Sequence, residues 1–244
     1  MIKIKAIILA AGKGTRLKPL TDNIPKPLVK INHISILEYI LNTLIELNIK
    51  EIALIVSYKK EGIIKKITNK YKTANITYIH QEQPLGTGQA TLLAKNFTKD
   101  SDFISINGDV VYDINILKKT IEHSYSNVLA LKEITEPRKA AAVTINENLT
   151  EDIKELEKIE MEQLMQKQKA YGTIGIYKFS PEIYQAIMQT KPSKRNEYEI
   201  PDAIKILVKQ KKVSYTTNPE YWLGIEDLEN LEEAKKWYSN LLKS

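Results

Sequence analysis

The chain has 244 residues, 43% hydrophobic and 27% charged, the composition of an ordinary soluble globular protein with room for one sizeable core. Zero cysteines exclude a disulfide framework, thiolate chemistry and a Cys-based zinc site. The net charge of +6 comes from dispersed lysines, and the densest basic run, Lys209 to Lys212, has no interleaved aromatic platform, so it describes a solvated face rather than a nucleic-acid footprint.

Taken in chain order, "IKAIILAAG" is continuously apolar, as in a strand of a sheet covered on both faces, and the run is too short to span a bilayer. It also lacks the form of a signal peptide, so a cytoplasmic protein is expected. "SILEYILNTLIELN" carries Leu37, Ile40, Leu41, Leu44 and Ile45 on one helical stripe, with Ser35 as N-cap. "EIALIVSY" is a second strand, "KEGIIKKITNKY" a short helix, "NITYIH" a third strand, "TGQATLLAKNF" one helix and "DFISING" a fourth strand. This alternation predicts βαβ units in an α/β, doubly wound, mainly parallel sheet. Ligands to such sheets bind beyond the carboxyl ends of the strands, where the opening loop, Gln81 and Asp109 all fall.

The second half changes character. "NVLALKEI", "KAAAVTIN", "DIKELEK" and "YGTIGIYKF" read as successive strands without full helices between them, a mixed extension forming one wall of a pocket. Helices follow at "SPEIYQAIM" and "EIPDAIKILVKQ", then strands at "KVSYTT" and "YWLGI", then a terminal helix over 227–242 with Leu228, Leu231, Ala234, Trp237 and Leu241 at helical spacing. No linker or repeat divides the chain, so residues 1–244 form one domain. His33, His80 and His123 are far apart and show no metal-ligand spacing.

The stretch "LAAGKGTRLKPLTDNIPKP" places a Gly-rich turn directly after the first strand, which lets backbone N–H groups approach an anion together. It lacks the third glycine of a dinucleotide fingerprint and the G-K-[ST] of a P-loop. Arg16 and the lysine held between Pro25 and Pro27 suit the neutralisation of a polyphosphate.

On these residues the sequence closely resembles the nucleotidyltransferases that make NDP-sugars from an NTP and a sugar 1-phosphate. Their signature, L-A-A/G-G-x-G-T-R-x-x-P-L-T followed by P-K-P/Q, is matched by Leu9 to Thr21 and by Pro25-Lys26-Pro27. Further likenesses are "QEQPLGTGQA" to the base-recognition segment, "NGDV" to the metal-binding aspartate, "LEK" to the start of E-K-P, and "GTIGIYKF" to N-A-G-I-Y-x-F. "NEYEIPDAI" is similar to G-E-x-x-L-T-D-A, and "YWLGIEDLENLEEA" to W-x-D-I-G-T-P-E-D-L-x-E-A.

The resemblance implies a Rossmann-like nucleotide-diphospho-sugar transferase fold, with a nucleotide half over about 1–112 and a sugar half over about 113–225. It implies in-line attack of a sugar phosphate oxygen on the nucleotide α-phosphorus, releasing pyrophosphate. Arg16 and Lys26 would be the catalytic cations, and Asp109 would hold Mg²⁺. Leu9, Ala10, Ala11, Gly12, Gly14 and Thr15 would cradle the nucleotide, and Gln81, Gly86 and Thr87 would read its base, with UTP or dTTP favoured. Gly108, Glu157, Lys158 and Thr173 would meet the sugar phosphate. Glu197, Tyr198 and Glu199 either line the same pocket or begin a helix.

Several positions depart from the family pattern. Gly224 stands where a second metal-binding aspartate is usual, leaving Glu226, Asp227 or the phosphates to complete the metal's shell, or turnover slow. Ile159, Thr173 and Ala141 replace acceptor-side residues. Three readings therefore stand: a UTP- or dTTP-dependent sugar-1-phosphate enzyme, a same-fold cytidylyltransferase with a non-sugar acceptor such as phosphocholine, and a catalytically weak nucleotide-sensing subunit. The chain carries no hexapeptide repeats after its last helix, so acetyltransferase activity is not expected. Self-association is implied by resemblance, with Trp237 and Tyr238 either at an interface or packed on the sheet.

Overall fold

The computed structural model describes residues 4–137 and 140–243. Strand β1 (Lys5–Leu9) runs up the middle of the sheet, with Ala6 and Ile8 in one core and Ile7 in the other. All three are fully buried, so both faces are covered, as the unbroken apolar run requires. Each such isoleucine contributes about 1.5–3 kcal/mol of transfer free energy.

Two short strands, β2 (Lys30–Ile31) and β3 (Ile34–Ser35), form a hairpin leading into α1 (Ile36–Glu46). Ser35 caps α1 as expected and does so reciprocally: its hydroxyl accepts from Glu38 N–H at 3.3 Å, and Glu38 Oε2 accepts from Ser35 N–H at 2.8 Å. Lys66 pairs with the same carboxylate at 2.9 Å. Then come β4 (Glu51–Val56), α2 (Lys60–Ile67), β5 (Lys70–Tyr71) and β6 (Ala74–His80).

The single helix expected over "TGQATLLAKNF" is two, α3 (Gly86–Leu92) and α4 (Lys95–Thr98). At the break Ala94 N–H donates to Thr91 O, three residues back, which tightens the turn and buries Ala94 completely. Beyond it lie β7 (Phe103–Asn107), β8 (Val110–Tyr112), α5 (Ile114–Glu122), β9 (Val128–Glu133), β10 (Ala140–Asn146) and β11 (Leu149–Leu156). Lys139, the first residue of the expected strand at β10, lies outside the described residues.

The expectation of strands without intervening helices fails at α6 (Lys158–Met165), which separates β11 from β12 (Tyr171–Phe179). A capping box between Glu157 and Glu160 starts that helix, and Met161 is its one buried residue, so little apolar periodicity marks it. The chain continues through α7 (Glu182–Gln189), α8 (Ile200–Lys209), β13 (Ser214–Thr216), β14 (Trp222–Gly224) and α9 (Leu228–Leu241), which Asp227 caps.

In the sheet β6, β4, β1 and β7 are parallel neighbours in that order. The antiparallel β12 follows on β7 and carries β9 and β10, so the sheet is parallel in its first half and mixed in its second. Strand order reverses at β1: the chain moves outward through β4 and β6, then returns to β1's other side as β7. The crevice above the carboxyl ends of β1 and β7 is the topological switch point, where ligands bind doubly wound sheets. Among the described residues no helix is long and apolar enough to cross a membrane. Trp237 stacks on Tyr221 at 4.3 Å between ring centroids and Tyr238 is 8% exposed, so both pack within the chain.

Candidate active site

A cavity of roughly 260 Å³ opens at that switch point. It is lined by Leu9, Ala11 and Gly12 from the turn after β1, Lys26 and Pro27, Gln81 at the end of β6, Gly86 and Thr87 at the start of α3, and Gly108 and Asp109 after β7. Ten residues singled out in the sequence thus meet in one place. Pro84, Ala90, Asn107 and Glu197 complete the wall. Of these, the sequence leaves Glu197 open between pocket and helix start and signals Asn107 only by its place ahead of Gly108. A larger cavity of roughly 500 Å³ lies between β11 and α8, lined by mixed charges such as Lys154, Glu155, Arg195 and Asp202.

Two glycines allow the cavity its shape. Gly14 sits in the left-handed region at φ +65, and a Cβ there would lie 2.7 Å from Lys26 Cβ, so this residue is what lets Lys26 pass behind the turn. Gly108 lets β7 close on β1: its N–H donates to Leu9 O at 2.9 Å, and a Cβ would lie 2.7 Å from the same oxygen. Ala11 and Gly12 line the cavity, and among the described residues their N–H groups donate to no backbone carbonyl. Ala10 instead belongs to the core, 1% exposed, with its N–H donating to Ile55 O at 2.8 Å.

The central polar contact is an ion pair between Lys26 Nζ and Asp109 Oδ2 at 2.6 Å. The lysine side chain is 12% exposed and the carboxylate 38%, so the ammonium is held inside while the carboxylate still reaches the cavity. A short 3₁₀ turn, Lys26–Leu28, fixes the lysine between its two prolines. Arg16 lies on another 3₁₀ turn, Thr15–Leu17, outside the cavity wall, where its exposed guanidinium pairs with Glu226.

Asp109 is also anchored from the far end of the chain. Its carbonyl accepts from Ile225 N–H at 2.8 Å, and β14 pairs with β8 so that Gly224 faces Val110. Gly224 therefore lies opposite Val110, the residue that follows Asp109. Of the candidates to replace it, Asp227 is engaged in capping α9 and Glu226 in pairing with Arg16.

The remaining acceptor-side residues stand apart from the cavity wall. Glu157 and Lys158 are exposed at the N-terminus of α6. Thr173 is on β12, two residues before Gly175, which packs against Asn107. Thr87 lines the cavity while its hydroxyl accepts from Ile200 N–H at 3.1 Å, tying α3 to α8.

Among the described residues no group of three His, Asp or Glu side chains converges to hold a metal ion. The accessible Asp109 carboxylate, with Glu197 also in the wall, nevertheless fits Mg²⁺, which is commonly held by one or two carboxylates together with substrate phosphates.

Residues 5–240 match the family model described as nucleotidyl transferase. The chain is 38% identical over 221 residues to the bifunctional protein GlmU of Methanococcus aeolicus, covering 90% of this chain and 51% of that protein. It spans about half the length of the GlmU relatives it matches. It is 31% identical to the UTP–glucose-1-phosphate uridylyltransferase AglF of Haloferax volcanii, covering 96% of each. A solved structure of UDP-glucose pyrophosphorylase with UDP-glucose superimposes with a TM-score of 0.78 at 22% identity, covering 98% of this chain and 99% of that one, so the two share a fold.

Proposed function

Since the chain belongs to the nucleotidyl transferase family, we propose that it transfers a nucleotidyl group from UTP or dTTP to a sugar 1-phosphate, giving an NDP-sugar and pyrophosphate. The observation that carries this reading is the Lys26–Asp109 pair beside the free N–H groups of the Gly12 turn at the sheet's switch point.

An oxygen of the acceptor phosphate attacks the α-phosphorus, and the bond from that phosphorus to the β-phosphate bridging oxygen breaks. Little covalent chemistry is asked of the protein, and positioning with charge neutralisation does most of the work. The N–H groups of Ala11 and Gly12 donate to phosphate oxygens. Lys26 turns from Asp109 to the α-phosphate as the nucleotide enters, a move of one flexible side chain. Arg16, already solvent-facing, exchanges Glu226 for the departing phosphates. Gln81 reads the base. Asp109, released by Lys26, would hold Mg²⁺, which when bound supplies charge neutralisation along the phosphates.

On this reading residues 1–112 contribute mainly to the nucleotide and 113–225 to the acceptor, under the terminal helix. A cytoplasmic setting belongs to the same reading, because nucleoside triphosphates are held there. Gly224 favours a second reading, a nucleotide-binding subunit with weak turnover. Pyrophosphate release with UTP, dTTP, CTP, GTP and ATP against sugar 1-phosphates and phosphocholine, with and without Mg²⁺, separates the two. Metal-dependent turnover with UTP or dTTP and one sugar 1-phosphate supports the enzyme. Tight nucleotide binding with no turnover on any acceptor supports the subunit.

A further inference from the structure

Gln81 is 3% exposed, and its side-chain amide is not free to turn. The nitrogen donates to Gln89 Oε1 at 2.6 Å and to the backbone carbonyl of Gly86 at 3.3 Å. A backbone carbonyl only accepts, so the Gly86 contact determines which end of the Gln81 amide is nitrogen. With that end fixed, Gln89 must present its oxygen. Both N–H donors of Gln81 are then consumed within the protein, and Oε1, which accepts no hydrogen bond among the described residues, is the group left for a ligand.

We propose that Gln89, which does not line the cavity, is a positioning residue that locks Gln81 as a pure acceptor and thereby selects nucleotides whose base offers an imide N–H. The proposal rests on the nucleotide-binding reading of this cavity and deepens it. Uracil and thymine carry an N3–H donor, which suits a side chain that lines the cavity and offers it only an acceptor. Cytosine presents a lone pair at N3 and would set it against the Gln81 oxygen. Without Gln89, the longer Gly86 contact alone opposes rotation of the amide about a soft terminal torsion. Gln81 could then turn and donate to cytosine.

The test is equilibrium binding of UTP, dTTP and CTP by calorimetry to the wild type, Gln89→Leu and Gln89→Glu, with thermal melting to verify folding and wild-type turnover recorded in parallel. The wild type is expected to prefer UTP and dTTP. Gln89→Leu, which removes the acceptor at similar volume, is expected to shrink the preference over CTP about tenfold, the scale of one hydrogen bond. Gln89→Glu keeps an acceptor oxygen and is expected to retain most of it. A folded Gln89→Leu with the wild-type ratio overturns the role of Gln89 and leaves the nucleotide reading standing. A wild type that turns over UTP yet binds CTP equally well overturns it too. A wild type that binds none of the three overturns both, and the wild-type data alone reveal that case.

Discussion

Alanine substitution at Gly12 and Gly14, two residues apart in one turn, is expected to give opposite phenotypes. At Gly14 the backbone lies at φ +65, where a side chain costs about 1–2 kcal/mol. The new Cβ would also lie 2.7 Å from Lys26 Cβ and 3.1 Å from both Lys26 Cγ and Thr21 Cγ2, an overpacking worth about 1–3 kcal/mol. A total of about 2–5 kcal/mol, at about 2–4 °C per kcal/mol for a chain of this size, lowers Tm by about 4–20 °C. The lysine stem yields first, which pulls Nζ from Asp109 and lowers turnover as well. At Gly12 a Cβ would meet nothing within 4 Å, so Gly12→Ala should melt within about 0.5 kcal/mol of wild type. Its methyl would instead enter the space where phosphates approach the backbone N–H groups, raising the nucleotide KM about tenfold, the scale of one lost hydrogen bond. Ligand-free thermal melting and coupled pyrophosphate release measure the two effects separately. A Gly12→Ala protein that melts below Gly14→Ala, or a Gly14→Ala protein within 2 °C (~0.5–1 kcal/mol) of wild type, would refute the reasoning.

Lys26→Met should lower kcat about 10²–10³-fold, the cost of removing one charged group from a developing phosphate charge, with a small change in Tm because Asp109 is open enough to rehydrate. Turnover within tenfold of wild type would exclude Lys26 from the chemistry. Gly224→Asp has room, since its Cβ would stand 3.6 Å from the Trp222 ring, and a second carboxylate beside Asp109 should tighten Mn²⁺ binding at least about fivefold in calorimetry. Unchanged affinity would mean that position 224 does not face the metal. Ser35→Ala removes one half of the α1 capping box and should cost about 1 kcal/mol in denaturant titrations. Glu38 has its carboxyl below the ordinary value: desolvation pushes it up, but the Ser35 hydroxyl and the Lys66 ammonium together outweigh that. Its contribution is therefore complete above the unfolded carboxyl range and lost as pH falls through the depressed folded value, so wild type and Glu38→Gln should converge in stability as the solution is acidified below the ordinary carboxyl range. A difference that stays constant with pH would remove the ionised carboxylate from the account.

What could be read from the sequence follows the range of each interaction. Strand β1 was legible because a sheet covered on both faces leaves no polar alternation, and Ser35 because a capping box lies within four residues. Gln81 and Asp109 were legible through their places at strand ends, which a parallel sheet collects on one rim. Helix α6 was missed because its packing signal is one buried methionine, although the Glu157-to-Glu160 spacing that starts it was present. Lys26 was legible as a cation and Asp109 as a carboxylate, but their direct pairing joins two separate turns that only the folded sheet brings within 2.6 Å. The partner of Arg16 lies 210 residues away, and no local pattern announces it. Gln89 carried no signal of its own, because its contribution is the orientation of another side chain.

The clasp between β14 and β8, with Ile225 bound to the carbonyl of Asp109, bears on how the protein is made. Strands β1, β4, β6 and β7 leave the ribosome early and hold the turn that carries Asp109. That turn lacks its brace from Ile225 until residues 222–225 are synthesised, and Arg16 waits for Glu226. Translation therefore passes through a stage in which most of the sheet and the Lys26–Asp109 pair exist while Arg16 has no resting partner. A nascent chain arrested before Trp222 should hold a folded parallel sheet yet bind nucleotide poorly, so that competence arrives with residues 222–226 rather than with the half that supplies the cavity floor.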